Sequence, residues 1–323
     1  LKGLRRGDDV VADSGLDARG EGADQELRFD QVAEDRQAAE HHALARDRRL
    51  NGQIVVAEAD AAAELDRYAR HIVLREVGGT GQKRLKAARV LVVGAGGLGS
   101  PALLYLAAAG VGTIGVIDDD EVSNSNLQRQ IIHTDARIGQ PKVASAALAI
   151  QALNPFVTVD TWRERLDAER AAALFPHYDL ILDGSDNFEV RYLINDVAVK
   201  HGKPWVYGGA VGSQGMSMTI LPGETPCLRC VFEAAPNPGD VGTCETAGVL
   251  APTVNIVASY QATEALKILS GNLAAVNREL LVLDVWENTN RRVKVAKLMG
   301  RKGECVCCAK RQFEWLDGAH GTQ

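Results

Sequence analysis

A glycine-rich turn between an apolar strand and a helix constrains the fold of this chain more than any other feature. Gly94, Gly96 and Gly99 have the spacing Gly-x-Gly-x-x-Gly, directly after the β-branched run 89–94 and directly before the predicted helix 101–109. Glycines at these positions permit a tight turn, and they let backbone N–H groups approach phosphate oxygens at the positive end of a helix. The sequence therefore predicts a nucleotide site on a βαβ unit.

Strands and helices alternate along the chain that follows this turn. Predicted strands lie at 113–118, 180–183 and 205–210, and predicted helices lie at 141–153, 188–200 and 254–269. This alternation indicates a mainly parallel sheet with helices on both faces. The segment 215–221 predicts a further strand in an antiparallel section. We expect a Rossmann-like α/β fold that continues into an antiparallel section.

Composition and charge exclude several classes of protein. The net charge of −6 and the lack of clustered Lys and Arg argue against a nucleic-acid partner. Residues 90–117 carry no charge, but several glycines and Pro101 divide them into strand, turn and helix, so no membrane span is expected. No apolar segment follows Arg5 and Arg6, so no signal peptide is evident and a cytoplasmic protein is expected.

Charged residues after the glycine turn favour ATP over a dinucleotide. Asp118 ends the next predicted strand, where an acidic residue meets a ribose hydroxyl in such folds. The polar loop 121–130 then brings Arg129, and Lys142 follows at the start of a helix. Both cations could neutralise the phosphates of ATP. The glycine turn by itself is also compatible with an NAD-dependent oxidoreductase. Alternatively, the two cations could belong to a solvated loop and a surface helix that bind no ligand.

Six cysteines lie in the second half of the chain. Cys227 and Cys230 form one Cys-x-x-Cys pair, and Cys305 and Cys308 form another. Two such pairs can hold zinc with four thiolates, which leaves no open position, so the metal would be structural. Cys307 is a possible substitute ligand, although spacing favours Cys308. Buried thiols without a metal and a redox pair remain as alternatives.

Six motifs, in this order, resemble the MoeB/ThiF/HesA family, the bacterial relatives of ubiquitin-activating enzymes. The resemblance covers roughly residues 64–310. The motifs are 67–71, Gly94–Gly99, 125–130, 139–142, 183–187 and 244–248. The resemblance implies that ATP and a small carrier protein ending in Gly-Gly form an acyl adenylate and release pyrophosphate. It also supports zinc on Cys227, Cys230, Cys305 and Cys308.

The resemblance also implies a role for individual residues around ATP. Asp118 and Asp120 would hold the ribose, and Asp186 would bind Mg²⁺ and place it on the α-phosphate. Phosphate contacts are implied for Gly97, Asn126, Arg129 and Lys142. The other nucleotide-binding positions that we expect are Gly94, Gly96, Gly99 and Asn187. The plain alternative for Asp186 is a helix N-cap before Phe188.

Two further residues are implied to act at a subunit interface or in a second step. Arg70 would reach the ATP of a neighbouring subunit, which implies a homodimer. Cys244 occupies the position of a cysteine that can form a thioester, a persulfide or an acyl disulfide with the carrier. A thiol near a helix N-terminus can have a lowered pKa. An unreactive loop cysteine is the alternative.

The expected protein is an adenylyltransferase for a MoaD-like carrier of molybdopterin biosynthesis, with a ThiS-like carrier of thiamine biosynthesis as the alternative. We expect a separate sulfurtransferase, because no rhodanese-type domain follows the last cysteine pair. A binding scaffold of the same fold and a transfer-RNA cyclising dehydratase are further alternatives. Residues 1–60 are charge-rich and expected to be a disordered extension. Residues 61–323 would form one domain, with the nucleotide part at about 64–200 and the carrier and zinc part at about 201–310.

Overall fold

The structure is a computed structural model that describes residues 61–236, 242 and 246–318. The chain divides into two compact units, Leu1–Ala69 and Arg70–Gln323. In the first unit, residues 61–67 are helical. The predicted extension 1–60 and Cys244 lie outside the described residues.

Eight strands lie in the described residues, and the first five of them alternate with helices. The strands are β1 (Arg89–Val93), β2 (Thr113–Ile117), β3 (Thr158–Trp162), β4 (Leu180–Asp183), β5 (Trp205–Val211), β6 (Gln214–Ile220), β7 (Leu280–Asp284) and β8 (Thr289–Val293). The helices are α1 (Ala69–Ile72), α2 (Gly78–Ala87), α3 (Gly99–Ala108), α4 (Lys142–Leu153), α5 (Ala168–Leu174), α6 (Phe188–His201), α7 (Leu228–Val231) and α8 (Ala251–Ser270). Short 3-10 segments include Asn124–Asn126, Asp135–Arg137, Phe175–His177 and Leu273–Ala275.

The strands form one sheet in the order β3-β2-β1-β4-β5-β6-β7-β8. The first five strands in this order are parallel. The last three are joined to β5 and to one another by antiparallel pairing. The predicted Rossmann-like sheet with an antiparallel continuation is therefore confirmed.

The register brings the carboxyl ends of three central strands to the same level. Val93 at the end of β1 pairs with Ile117 of β2 on one side and with Asp183 of β4 on the other. Ligands of open parallel sheets bind outside this edge, where the strand order reverses. Here the reversal lies between β1 and β4, directly beside the glycine turn.

Apolar side chains cover both faces of the sheet, because the central strands are buried on both sides. On one face, Val90 and Val92 of β1 pack in a cluster with residues of α3 and α8. On the other face, Leu91 and Val93 belong to a cluster that includes α6 and the cysteine pairs. The edge beside the glycine turn and the cysteine pairs are therefore supported by the same sheet.

Gln261 of α8 connects this helix to the central strands. Its side chain is fully buried, and Nε2 donates to the backbone oxygens of Asp183 at 2.7 Å and Val206 at 3.2 Å. These bonds fix α8 against the end of β4. No helix in the described part of the chain is long and apolar enough to cross a membrane.

Candidate functional site

The glycine turn between β1 and α3 leaves no room for side chains at two positions. Gly94 has a φ of +95°, and a Cβ built on it would lie 2.7 Å from the backbone oxygen of Gly184. A Cβ on Gly99 would lie 1.9 Å from the backbone oxygen of Gly94. The turn therefore packs tightly against its own first residue and against the turn after β4. This explains why the sequence needs glycine there.

Asp118 holds the glycine turn from the end of β2. Its Oδ2 accepts a hydrogen bond from Ala95 N at 2.7 Å, and its Oδ1 accepts one from Asp120 N at 2.9 Å. Burial raises the pKa of Asp118, whereas Lys142 and the two backbone N–H groups act in the opposite direction. The carboxylate thus connects the glycine turn to the acidic segment that follows β2.

Lys142 and Asp120 form an ion pair beside this carboxylate. The Lys142 Nζ lies 2.7 Å from Oδ2 of Asp120, and the backbone N of Lys142 donates to the Asp120 backbone oxygen at 2.9 Å. The Lys142 side chain is 6% exposed, whereas that of Asp120 is 66% exposed. Because Asp120 is accessible to solvent, an incoming anionic ligand could share the buried Lys142 ammonium group with it.

The segment after Asp120 brings Arg129 to the glycine turn. A Cβ built on Gly97 would lie 3.8 Å from Cδ of Arg129. Arg129 Nη1 donates to the backbone oxygen of Ser125 at 3.1 Å, and Asn126 Oδ1 accepts from the backbone N of Ser123. The short 3-10 turn Asn124–Asn126 therefore holds the guanidinium of Arg129 through one of its nitrogens. Its guanidinium has further N–H groups that could donate to a ligand.

The turn after β4 adjoins the glycine turn from the other side. The backbone N of Gly184 donates to Val93 O at 2.8 Å. Asp183 is fully buried, and it accepts from Ser185 N at 3.0 Å and from Ser185 Oγ at 2.6 Å. Arg191 Nε lies 3.4 Å from Asp183 Oδ2. Burial raises the pKa of Asp183, whereas Arg191 favours the charged form.

Asp186 and its neighbour have separate positions in this turn. The N-cap of α6 is Asn187, whose Oδ1 accepts from Val190 N at 2.9 Å. Asp186 is exposed one residue earlier. The capping role considered for Asp186 therefore belongs to Asn187, and the Asp186 carboxylate remains accessible to solvent.

Two buried polar residues next to the glycine turn had no functional role in the sequence-based interpretation. His133 Nε2 donates to Ala95 O at 3.0 Å, and its Nδ1 lies 2.9 Å from Ser145 Oγ. Gln130 is 4% exposed, and its Oε1 has no hydrogen-bond partner among the described residues. Their positions one and four residues after Arg129 are the available sequence signal, but only the three-dimensional structure places them against the turn.

Four cysteine sulfurs cluster on the face of the sheet that α6 covers. The Sγ–Sγ distances are 3.8 Å for Cys227–Cys230, 3.7 Å for Cys227–Cys305 and 3.3 Å for Cys230–Cys308. All four sulfurs lie within 4.8 Å of one another. A tetrahedral zinc centre with Zn–S bonds of about 2.3 Å separates its sulfurs by about 3.8 Å. The four side chains therefore fit such a metal.

Cys307 lies outside this cluster. It is fully buried, and its Sγ accepts a hydrogen bond from Asn195 Nδ2 at 3.2 Å. The amide oxygen of Asn195 accepts a hydrogen bond from the backbone N of Leu228 at 2.9 Å, and Leu228 lies between Cys227 and Cys230. Asn195 thus connects both cysteine segments to α6, and the cluster contains Cys308, as the spacing predicts.

The structure brings most of the predicted nucleotide residues to one edge of the sheet. The glycine turn, Asp118, Asp120, Arg129 and Lys142 are joined by the contacts above, and the Asp186 turn adjoins Gly94. Arg70 is exposed in α1, before β1, so its predicted reach into a neighbouring subunit stays a prediction.

Comparison with known proteins identifies the family that has this arrangement. The model of the ThiF family matches residues 68–307. The chain belongs to the ThiF family. The predicted resemblance is therefore confirmed over the sheet, the glycine turn and three of the four clustered cysteines.

Curated relatives of this ThiF-family chain are named as activating enzymes and adenylyltransferases. The SAMP-activating enzyme E1 of Haloferax volcanii is 47% identical over 228 residues, which cover 71% of this chain and 84% of that protein. The sulfur carrier protein adenylyltransferase of Thermus thermophilus is 45% identical over 250 residues, which cover 76% and 91%. These relatives are consistent with the predicted enzyme class, an adenylyltransferase.

Another relative is substantially longer than the matched region. The probable adenylyltransferase/sulfurtransferase MoeZ of Mycobacterium tuberculosis is 46% identical over 245 residues, which cover 75% of this chain but 62% of MoeZ. Among solved structures, Escherichia coli MccB with succinimide has a TM-score of 0.66 and 22% identity, over 75% of this chain and 73% of that one. This likeness concerns the fold.

Proposed function

We propose that this chain uses ATP to adenylylate the C-terminal Gly-Gly carboxylate of a small ubiquitin-like sulfur-carrier protein, and that pyrophosphate leaves. The observation that carries the proposal is the meeting of the glycine turn, Arg129 and the Lys142–Asp120 pair at one sheet edge. The name of the Thermus relative, a sulfur carrier protein adenylyltransferase, supports the same substrate class.

In this proposal the nucleotide lies along the carboxyl edge of the sheet. The ribose meets Asp118 and Asp120, and the glycine turn with Gly94, Gly96, Gly97 and Gly99 receives the phosphates. Asn126, Arg129, Lys142 and Asn187 complete the contacts. Lys142 then exchanges part of its contact with Asp120 for a phosphate oxygen. Because its side chain is buried, its attraction for phosphate is screened less by water.

The reaction requires positioning and charge neutralisation more than proton transfer. One oxygen of the carrier carboxylate attacks the α-phosphorus, a new P–O bond forms, and the bond to the β-phosphate breaks as pyrophosphate leaves. The attacking carboxylate is already ionised near neutral pH, so no general base is needed. Arg129 and Lys142 lower the repulsion between the carboxylate and the phosphates and stabilise charge in the transition state.

Asp186 would hold the magnesium ion that accompanies ATP. Its exposed carboxylate offers the oxygen ligands that Mg²⁺ prefers, and Asn187 performs the helix capping. Bound Mg²⁺ would neutralise phosphate charge at this edge. Asp183 is less suitable than Asp186 as the Mg²⁺ ligand, because its carboxylate is buried against Arg191 and Ser185.

Cys227, Cys230, Cys305 and Cys308 would hold one zinc ion. With four thiolates and no open position, this zinc contributes folding energy rather than catalysis. It joins the α7 segment to a segment 78 residues further along. Metal analysis should find one zinc per chain, and a chelator should lower the thermal stability.

The partners and the division of the domain follow from the same proposal. The part at about 64–200 binds the nucleotide, and the part at about 201–310 binds the carrier and zinc. We favour a MoaD-like carrier over a ThiS-like one, a homodimer in which Arg70 reaches the neighbouring ATP, and a separate sulfurtransferase. Cys244 is a candidate for a second, covalent step.

A direct test uses intact-mass spectrometry of a Gly-Gly carrier incubated with the chain and Mg-ATP. The carrier should gain the mass of one AMP, and a carrier without its two terminal glycines should not. An unmodified carrier together with a change in nicotinamide absorbance would instead favour an NAD-dependent oxidoreductase.

A further inference from the structure

The four clustered cysteines differ in their access to solvent. The exposed fractions are 1% for Cys227, 1% for Cys230 and 3% for Cys305. Cys308 is half-buried, so it is the accessible member of the cluster. A thiolate can react with a solute only where the solute reaches its sulfur, so chemistry at this cluster should begin at Cys308.

A cavity of about 500 Å³ leads to Cys308. Its walls include Lys200 and His201 at the end of α6, and Arg311 three residues after the cysteine. Arg311 Nη1 donates to Val199 O at 3.2 Å, which holds this cation beside the cavity. The cavity is large enough for a small oxidant. The positive charges of Lys200 and Arg311 stabilise anionic oxygen and sulfur species that form there.

The Cys308 sulfur contacts the sulfur of Cys230. Their Sγ atoms lie 3.3 Å apart, closer than the 3.7 Å and 3.8 Å of the Cys227 pairs. Cys307, its direct neighbour in sequence, is fully buried and hydrogen-bonded to Asn195. Once oxidation detaches Cys308 from the metal, Cys230 is a thiol in direct contact with it, and we expect the disulfide to form there.

We infer that Cys308 is the oxidation-sensitive ligand of this cluster, and that a hydroperoxide converts it and Cys230 into a disulfide with release of the zinc ion. The inference goes beyond adenylylation but rests on the proposed zinc site. Loss of two of the four thiolates leaves Cys227 and Cys305, which are too few to retain the metal tightly.

The chemistry needs one hydroperoxide for each disulfide. The Cys308 sulfur attacks one peroxide oxygen, an S–O bond forms, the O–O bond breaks, and water or an alcohol leaves after protonation. The Cys230 thiolate then attacks the sulfenic sulfur, an S–S bond forms, and hydroxide leaves as water. The two thiolates lose two electrons in total, and the peroxide gains them.

The test oxidises zinc-loaded full-length protein with increasing hydrogen peroxide. A chromogenic chelator measures the released zinc, and mass spectrometry of unreduced, alkylated peptides maps the disulfides. We expect one zinc released per disulfide, with Cys230–Cys308 as the first and main pair. Cys307→Ser should release zinc at a rate within about twofold of wild type, because the Cys307 sulfur lies outside the cluster.

A second variant removes the reactive sulfur itself. If Cys308→Ser retains zinc through three thiolates, peroxide should release it at least about tenfold more slowly. If this variant does not bind zinc, the disulfide map of wild type decides. Zinc release without a Cys230–Cys308 disulfide would overturn only this inference. Much less than one zinc per chain before oxidation would overturn the zinc site and this inference together.

Discussion

The carboxylate of Asp118 accepts a hydrogen bond from the backbone N–H of Ala95 at 2.7 Å. This contact joins the end of β2 to the glycine turn after β1, and it orients the backbone on which phosphate binding is proposed. A hydrogen bond to a charged group contributes about 1.5–3 kcal/mol. Asp118 is therefore expected to act on the nucleotide through both the ribose and the shape of the turn.

Asp118→Ala should weaken ATP binding by about ten- to a hundredfold, since the turn loses this bond and the nucleotide loses the proposed ribose contact. Isothermal titration calorimetry with Mg-ATP measures the change. Asp119→Ala is the matched control, because Asp119 is the exposed neighbour in the same acidic segment. Equal affinity for wild type and Asp118→Ala would contradict the assignment.

Lys142→Met should reduce adenylylation at least about a hundredfold, because the buried cation proposed to neutralise the phosphates is lost. The fold should persist, since the exposed Asp120 can be hydrated after its partner is removed. Rates of pyrophosphate release give the activity, and thermal unfolding reports on the fold. Lys83→Met, at an exposed position of α2, should retain the wild-type rate.

Asp186→Ala should abolish adenylylation and leave the oligomeric state unchanged, because the carboxylate is exposed and does not cap α6. The measurement combines the mass assay on the carrier with sedimentation of the variant. Glu189→Ala is the matched control from the first turn of the same helix, where Glu189 makes an exposed ion pair with Arg165. Turnover like wild type in Asp186→Ala would exclude its proposed role.

His133 should make stability depend on pH. Burial lowers its pKa below the ordinary value of 6.5. As pH falls through 6.5, the imidazole is therefore protonated more readily in the unfolded chain than in the folded one. The free energy of unfolding decreases as a result, so the folded protein is less stable at acidic pH. Each unit of difference in pKa corresponds to about 1.4 kcal/mol.

Denaturant titrations at pH 7.5 and 5.5 can check this dependence. His133→Gln should lose less stability between these two values than wild type, and the exposed His177→Gln should follow wild type. The same loss in His133→Gln as in wild type would assign the pH dependence to other groups.

Much of the central sheet could be predicted from the sequence. Strand β1 is a continuous apolar run buried on both faces, and the glycines that follow it admit few alternatives. The sequence does not predict strand β3, because Thr-Val-Asp-Thr-Trp has little apolar periodicity and its residues are only partly covered at the sheet edge. The sequence does not predict helix α2 either, since the helix begins with glycines, which are poor helix formers.

The sequence indicates which residues belong to the candidate site, but not how they pair with one another. Because carboxyl ends of parallel strands meet at one edge, Asp118 and Asp186 could be assigned to the same site as the glycine turn. The pairing of Lys142 with Asp120 could not, because it depends on the irregular chain between them. The burial of Cys307 against Asn195 likewise requires a helix that is distant in sequence.

ATP–pyrophosphate exchange with a MoaD-type and a ThiS-type carrier, each ending in Gly-Gly, tests the central claim most directly. We predict that labelled pyrophosphate enters ATP only when a carrier is present, most rapidly with the MoaD-type carrier, and that Asp186→Ala shows no exchange. Protein that binds Mg-ATP but gives no exchange with either carrier would contradict adenylylation of a sulfur carrier.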